Sequence, residues 1–348
     1  MAAGIRMETG DCMPDFQLLD VNGVYQSLLS LALGQPIVLL CLPDCEAAAA
    51  RAVMRSFAEL HAAFEPRVNL FAVTGNAVAA NRRCAEELDL PYPVLADPEQ
   101  RLLSLYDVRR RSLSDQRPAP EGTVACVVAD ANQRIVRMDR RVTSGAHAEA
   151  VRNLLESLPR EDPQRFARTA PVLIVPEVLD PASCRRLIEL HQSGGNFEGL
   201  IRQGDGREVR NVVDRDSKIR RDHDITDKAV VQDLRMRLLK RVVPDVAKAF
   251  DFQLKHGEAF QIGCYEGAAG GFFSPHRDNV DPSGGRRFAI SLNLNAGDYE
   301  GGDLRFPEYG PDLYKPPTGA ALVFSCRLVH EAMPVTAGRR FVLLTFLH

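Results

Sequence analysis

Two side chains with metal-binding chemistry stand two positions apart in the stretch GFFSPHRDNV: His276 and Asp278. Side chains at i and i+2 of an extended segment leave the backbone on one face, so this imidazole and carboxylate can converge on a single point. The pair suits a divalent first-row metal and leaves most of its coordination sphere open. A third ligand is needed, and of the later histidines only His330 and His348 remain. His330 closes the apolar run GAALVFSCRLVH and is the better placed of the two. Two imidazoles and one carboxylate on one face of an ion leave three positions free, the arrangement of a non-haem Fe(II) centre. A zinc hydrolase would more often show two histidines at helical spacing, a pattern absent from this chain.

Three open positions suit a bidentate co-substrate together with dioxygen. If the co-substrate is 2-oxoglutarate, its 2-oxo acid end chelates the ion and its distal carboxylate needs a fixed cation, best a bidentate guanidinium. HEAMPVTAGRRFVLLTFLH offers Arg339 and Arg340. Strand side chains alternate, so only one of the two can face inward, and Arg340 is the expected one. The basic cluster SKIRRDHD is interleaved with acids, so a solvated face is one reading of it. In the other, Lys218, Arg220 and Arg221 face a carboxylate-bearing substrate such as an amino acid or peptide. The loops 194–224 and 266–286 would then select the substrate.

The elements that must carry these residues are legible in pattern. PEVLDPASCRRLIELHQ (176–192) reads as an amphipathic helix with Asp180 or Ser183 as its N-cap, and 227–250 as a longer helix that Pro244 interrupts. Beyond residue 255 come mostly strands and turns: EAFQIGCYE, RRFAISLNLN, GGDLRFPE, GAALVFSC and RRFVLLTFLH. Gly301 and Gly302 read as a turn between strands. The ordered set of His276-x-Asp278, EGGDLRFPE, His330, PVTAG and Arg340 resembles the prolyl 4-hydroxylase-like group of Fe(II)/2-oxoglutarate-dependent dioxygenases over roughly 172–348. That resemblance implies a double-stranded β-helix (jelly roll) with supporting helices. It implies iron on His276, Asp278 and His330, and Arg340 on the distal carboxylate of 2-oxoglutarate. It also implies co-substrate contacts from Tyr265 and Asn293, release of succinate and CO2, and room for ascorbate as a further cofactor.

The first half alternates apolar runs with amphipathic stretches: PIVLLCL (36–42), a helical pattern over 46–64, VNLFAVTG (68–75), a helical pattern over 77–90, then a hairpin from 122 to 140. Alternating strand and helix imply an α/β layer with parallel pairing at its centre. GDCMPDFQLLDVNG, GQPIVLLCLPDCE, LFAVTGN and LDLPYPVLADPEQRLLSLYDV resemble landmarks of the peroxiredoxin-like (AhpC/TSA, redoxin) branch of the thioredoxin fold, over roughly residues 5–155. The family's peroxidases carry Pro-x-x-x-Thr/Ser-x-x-Cys, where this chain has only LPDCE. Cys45 stands where a helix would begin, but Asp44 and Glu46 flank it and disfavour a thiolate. Cys41, inside the apolar strand, does not complete a Cys-x-x-Cys pair. The domain is therefore expected to be non-catalytic, serving as a scaffold or for docking.

Composition bounds the rest. With 348 residues, 45% hydrophobic and 26% charged, two globular domains are expected: 1–160, a linker at 161–171, and 172–348. A net charge of −3 speaks against a nucleic-acid partner, and no long apolar run suggests a signal peptide or a membrane span. Eight scattered cysteines are expected as reduced thiols in a cytoplasm. The reading is a dioxygenase hydroxylating an unactivated C–H bond of a prolyl, peptidyl or amino-acid-like substrate, whether a small molecule, a peptide or a protein. Its alternatives are a thiol peroxidase acting through Cys45, or a binding or sensing protein with a degenerate redoxin domain.

Overall fold

The computed structural model describes residues 6–64, 68–108, 124–142, 145–159, 163, 165–204, 209–278 and 285–348. The chain forms two compact units, Met1–Asp162 and Pro163–His348. No helix among the described residues is long and apolar enough to cross a membrane.

In the first unit a seven-stranded sheet runs in the order Tyr25–Ser27, Gln17–Leu19, Val94–Ala96, Asn69–Thr74, Ile37–Leu42, Ala125–Ala129, Ile135–Asp139. Pairing is parallel among the strands at 37, 69 and 94, whose connections pass through helices, and antiparallel elsewhere. Ile37–Leu42 is wholly buried because both its faces are covered. Val38, Leu40 and Leu42 pack under the helices Ala48–Phe64, Val78–Glu87 and Gly145–Ser157, while Ile37, Leu39 and Cys41 pack on the opposite side with Leu102, Leu103 and Tyr106. Each such apolar side chain contributes roughly 2 kcal/mol on burial. Two covered faces thus explain why this strand reads as one uninterrupted apolar run. This is the α/β thioredoxin-like architecture.

The second unit is a jelly roll of two sheets backed by helices. The larger sheet runs Val172–Val175, Ala321–Ser325, Phe288–Asn293, Val335–Leu347, Gln261–Glu266, Arg221–Asp224, Phe197–Glu198. The smaller runs Lys218–Ile219, Phe272–His276, His330–Ala332, Leu304–Arg305, Leu313–Tyr314. Alternation sorts the larger sheet's side chains. Ile262, Cys264, Ile290, Leu292, Val323, Phe341 and Leu343 face the helices Pro181–Ser193, Lys228–Arg241 and Val243–Phe250. Tyr265, Ala289, Leu322, Phe324 and Val342 face inward, against Leu304, Phe306 and Ala332 of the smaller sheet.

The segment expected as a linker docks at its C-terminal end on this unit. Arg168 donates to Glu308 O, and the Ala170 N–H donates to Tyr314 Oη. Pro244 enters the first turn of the second helix of its pair, where its missing N–H is harmless, so the long helical pattern is split in two. Gly301 and Gly302 both adopt positive φ, at 68° and 66°, which only a residue without a Cβ accepts readily.

Asp180, not Ser183, caps the helix Pro181–Ser193: its carboxylate accepts from the Ser183 N–H at 2.8 Å and from Arg237. The Ser183 backbone N–H above all holds this carboxyl down at about 2. Its contribution is therefore fully present above the unfolded-chain value near 4 and is lost as the pH falls through about 2. Asp180→Ala should cost about 1 kcal/mol in urea denaturation at pH 7. The gap between variant and wild type should close as the pH falls from about 4 toward 2.

Candidate metal centre

His276 ends the strand Phe272–His276, and His330 begins the strand His330–Ala332. These strands are antiparallel neighbours with His276 and His330 in register, which brings the ring centroids to 4.2 Å. Pro275 has no N–H to give the ladder, and the pairing shifts register between Phe273 and His276. Asp278 lies just past the strand end. Its Oδ1 is 3.6 Å from His276 Nε2, and its Oδ2 is 3.4 Å from His330 Nε2. One ligand atom from each of the three lies within 4.8 Å of the others, the one such group among the described residues. These separations exceed an ordinary hydrogen bond. Atoms sharing one ion through bonds of about 2.1 Å would stand about 3 to 3.5 Å apart, and the two carboxylate–imidazole separations lie close to that, at 3.4 and 3.6 Å.

Hydrogen bonding prepares the imidazoles as ligands. His276 Nδ1 donates to Ser274 O at 2.8 Å and His330 Nδ1 to Leu328 O at 3.1 Å. A carbonyl can only accept, so the proton sits on Nδ1 and the Nε2 lone pair is left for a metal. Burial pushes His330 down, toward its neutral form. Burial works against the charge on Asp278, whereas His276 and His330, when their rings are protonated, pull it below the usual range. Phe273 stacks on His276 at 3.5 Å, and Phe324 lies 4.6 Å from His330. Glu308 accepts from Arg277 and from the Val329 N–H, tying the segment after His276 to the one before His330.

Arg340 and Tyr265 are register partners on adjacent strands of the larger sheet, both buried on its inner face. The Arg340 guanidinium lies 5.2 Å from the Tyr265 ring centroid. Asn293 Nδ2 donates to Tyr299 Oη and to Pro316 O, both at 2.8 Å. Arg340 Nε and Asn293 Oδ1 are buried with no hydrogen-bond partner among the described residues. A buried guanidinium N–H without an acceptor is costly in a finished core, and a carboxylate is the acceptor that fits it. Arg339 is exposed on the other face, in a cleft of about 470 Å³ with Gln192, Glu266, Asn295 and Phe341.

The three basic residues grouped at 218–221 part company. Lys218 and Arg220 share Asp222, which is itself buried: Lys218 Nζ is 3.2 Å from Asp222 Oδ2, and Arg220 donates to both carboxylate oxygens. Arg220 also reaches Tyr265 Oη at 3.3 Å. Burial, and then the charge of Arg220, push Lys218 down to about 8. Burial works against the charge on Arg220, but Asp222 outweighs it and raises the group. Arg221 is exposed on the opposite face, where it donates to Asn196, because neighbouring strand residues alternate. Residues 205–208 and 279–284, parts of the two candidate substrate loops, lie outside the described residues.

In the first unit Cys45 precedes the helix Ala48–Phe64 rather than starting it, and its N–H donates to Asn76 Oδ1. Cys41 packs on the other side of the sheet. The neighbouring thiol is Cys84, whose Sγ lies 3.3 Å from Cys45 O. Burial first, then Cys84, Asp44 and Glu46, push the Cys45 thiol up to about 12. Asp222, Tyr299 and Cys84 are the residues that sequence reasoning passed over. Only Asp222 left a trace, two and four positions from the cations it joins.

Comparison with known proteins agrees with this division. The AhpC/TSA family model matches residues 9–137, and the 2OG-Fe(II) oxygenase superfamily model matches residues 260–348. No curated protein matches the chain. Among solved structures, peroxidoxin BcpB from Mycobacterium tuberculosis is 24% identical, covering 44% of this chain and 100% of its own, with a TM-score of 0.40. A PrxQ mutant from Xylella fastidiosa is 22% identical, covering 44% and 98%, with a TM-score of 0.39. The viral collagen prolyl hydroxylase of Paramecium Bursaria Chlorella virus-1, solved with 2OG, is 16% identical, covering 51% and 94%, with a TM-score of 0.38. The chain therefore joins an AhpC/TSA domain at its N-terminus to a 2OG-Fe(II) oxygenase domain at its C-terminus.

Proposed function

We propose that the second unit is an Fe(II)- and 2-oxoglutarate-dependent dioxygenase hydroxylating an unactivated C–H bond of an amino-acid-like or peptidyl substrate, prolyl included. The observation that carries this reading is the convergence of His276, Asp278 and His330 with both Nε2 lone pairs free. Fe(II) and 2-oxoglutarate, when bound, supply the oxidising chemistry: dioxygen, co-substrate and substrate C–H become hydroxylated product, succinate and CO2. The chain's own residues bind and orient. His276, Asp278 and His330 hold the ion on one face, and their Nδ1–H bonds to Ser274 O and Leu328 O keep the rings from turning. Arg340, with Tyr265 beside it and Asn293 linked to Tyr299, receives the distal carboxylate. Phe273 packs on His276, and Phe306 and Phe324 pack beside His330.

For the first unit we infer a scaffold or docking role. The thiolate is the nucleophile in thiol peroxidases, and Cys45 is fully buried with its thiol pushed up to about 12. The neighbouring Cys84 is the one observation that favours redox chemistry.

Anaerobic titration of Fe(II) and 2-oxoglutarate should develop the visible metal-to-ligand charge-transfer band of such a complex. His330→Ala should abolish it, and Arg340→Met should raise the half-saturating 2-oxoglutarate concentration on the order of a hundredfold. A folded, metal-loaded wild type without the band removes the proposal. In the native protein at pH 8, iodoacetamide should label Cys45 on the order of a thousandfold more slowly than a free thiol. Rapid labelling, with peroxide consumption lost in Cys45→Ala, would favour the thiol reading instead.

A further inference from the structure

Three cations are buried around the inner face of the jelly roll: Lys218, Arg220 and Arg340. Among the described residues of this unit the buried carboxylates are Asp222, which touches both Lys218 and Arg220, and Glu331, which pairs with Arg305, while Asp278 is mostly buried at the candidate metal centre. On the reading above, Asp278 is committed to the metal and Arg340 to the co-substrate's distal carboxylate. Asp222 then balances one of Lys218 and Arg220, and one positive charge is left over. An uncompensated buried charge costs several kcal/mol, and even a balanced buried ion cluster adds little stability over an apolar replacement. Stability therefore does not explain this cluster, whereas an anionic ligand would complete it.

Its placement indicates which ligand. Lys218 is in register with Phe273 on the strand that ends in His276. Its Nζ lies 5.2 Å from the centroid of the Phe273 ring, the same ring that stacks on His276. Two of its three N–H groups are used, on Leu200 O at 3.1 Å and Asp222 Oδ2 at 3.2 Å, leaving one without an acceptor among the described residues. The arginine side is closed, since Arg220 is held by Asp222, Gln261 and Tyr265. Bare backbone makes room for both chains. A Cβ at Gly199 would stand 2.6 Å from Lys218 Cε, and one at Gly263 would stand 2.9 Å from Arg220 Cδ.

Resting on the oxygenase reading, we infer that Lys218, held by Asp222 and Leu200 O, binds a carboxylate of the substrate, so that the substrate is a free amino acid or the C-terminus of a peptide. Arg340 and Lys218 thereby divide the two acids of the ternary complex. Arg340 takes the co-substrate's distal carboxylate, and Lys218 takes the substrate's carboxylate beside Phe273. Such a contact fixes which C–H bond faces the metal.

The test uses the full chain, loaded anaerobically with Fe(II) and 2-oxoglutarate, and follows the shift of the charge-transfer band as a probe enters. The probes are the free L-amino acids and short peptides with free C-termini, each beside its C-terminal amide. At least one acid should shift the band, with its amide binding at least about tenfold more weakly. Lys218→Met should remove that preference while leaving 2-oxoglutarate half-saturation unchanged, and Lys218→Arg should restore it. Gly199→Ala, which crowds the ammonium without removing a charge, serves if Lys218→Met does not fold. A shift by free amino acids identifies a small-molecule substrate, and a shift by peptides alone identifies a chain terminus. Equal binding of acid and amide, no shift by any probe, or a Lys218→Met variant that weakens 2-oxoglutarate in place of the acid overturns the inference. Absence of the band before any probe is added sinks the oxygenase reading itself, and this inference with it.

Discussion

The carboxylate of Asp278 lies mostly out of water between the Nε2 edges of His276 and His330, at distances too long for hydrogen bonds and suited to a shared ion. Three donors held so close need a backbone that does not yield. The register of Phe272–His276 against His330–Ala332 places the imidazoles opposite each other, and carbonyls of the same strands fix their tautomers. The neighbouring strands, the aromatic rings beside the imidazoles and the Glu308 bridge all serve to keep that register.

Pleat alternation then divides the chemistry in space. On the larger sheet Tyr265 and Arg340 turn inward while Cys264, Arg339 and Phe341 turn toward the helices or the outer cleft. The same rule separates Lys218 and Arg220 from Arg221. A shift of register by one residue in either strand would carry Tyr265 and Arg340, or Lys218 and Arg220, to the other face. The helices that cover the outer face accordingly bear on the site although none contributes a ligand.

In the AhpC/TSA domain the same physics leads to a different end. Two covered faces bury the central strand completely, and Cys41 and Cys45 fall on opposite sides of the sheet. A cysteine kept from water, with Asp44 and Glu46 nearby, is held as a thiol. The architecture is that of a redoxin, while the local electrostatics oppose the chemistry for which the fold is known.

Much of this was legible along the chain. Apolar runs, helical periodicity and the cap at Asp180 are local properties, set by propensity and by water's exclusion of apolar surface, and they marked most of the elements that form. His276-x-Asp278 and the Arg339–Arg340 pair were visible because strand periodicity acts over two residues. The proximity of Cys84 to Cys45, the joining of Lys218 and Arg220 through Asp222, and the Asn293–Tyr299 bond were not legible in that way. Sequence by itself determined the kinds of donor and the local geometry that could present them. Which distant donors share a point, and which cations share one carboxylate, was decided only by the tertiary structure, because pairing registers and burial are set by the free energy of whole sheets rather than by any short segment.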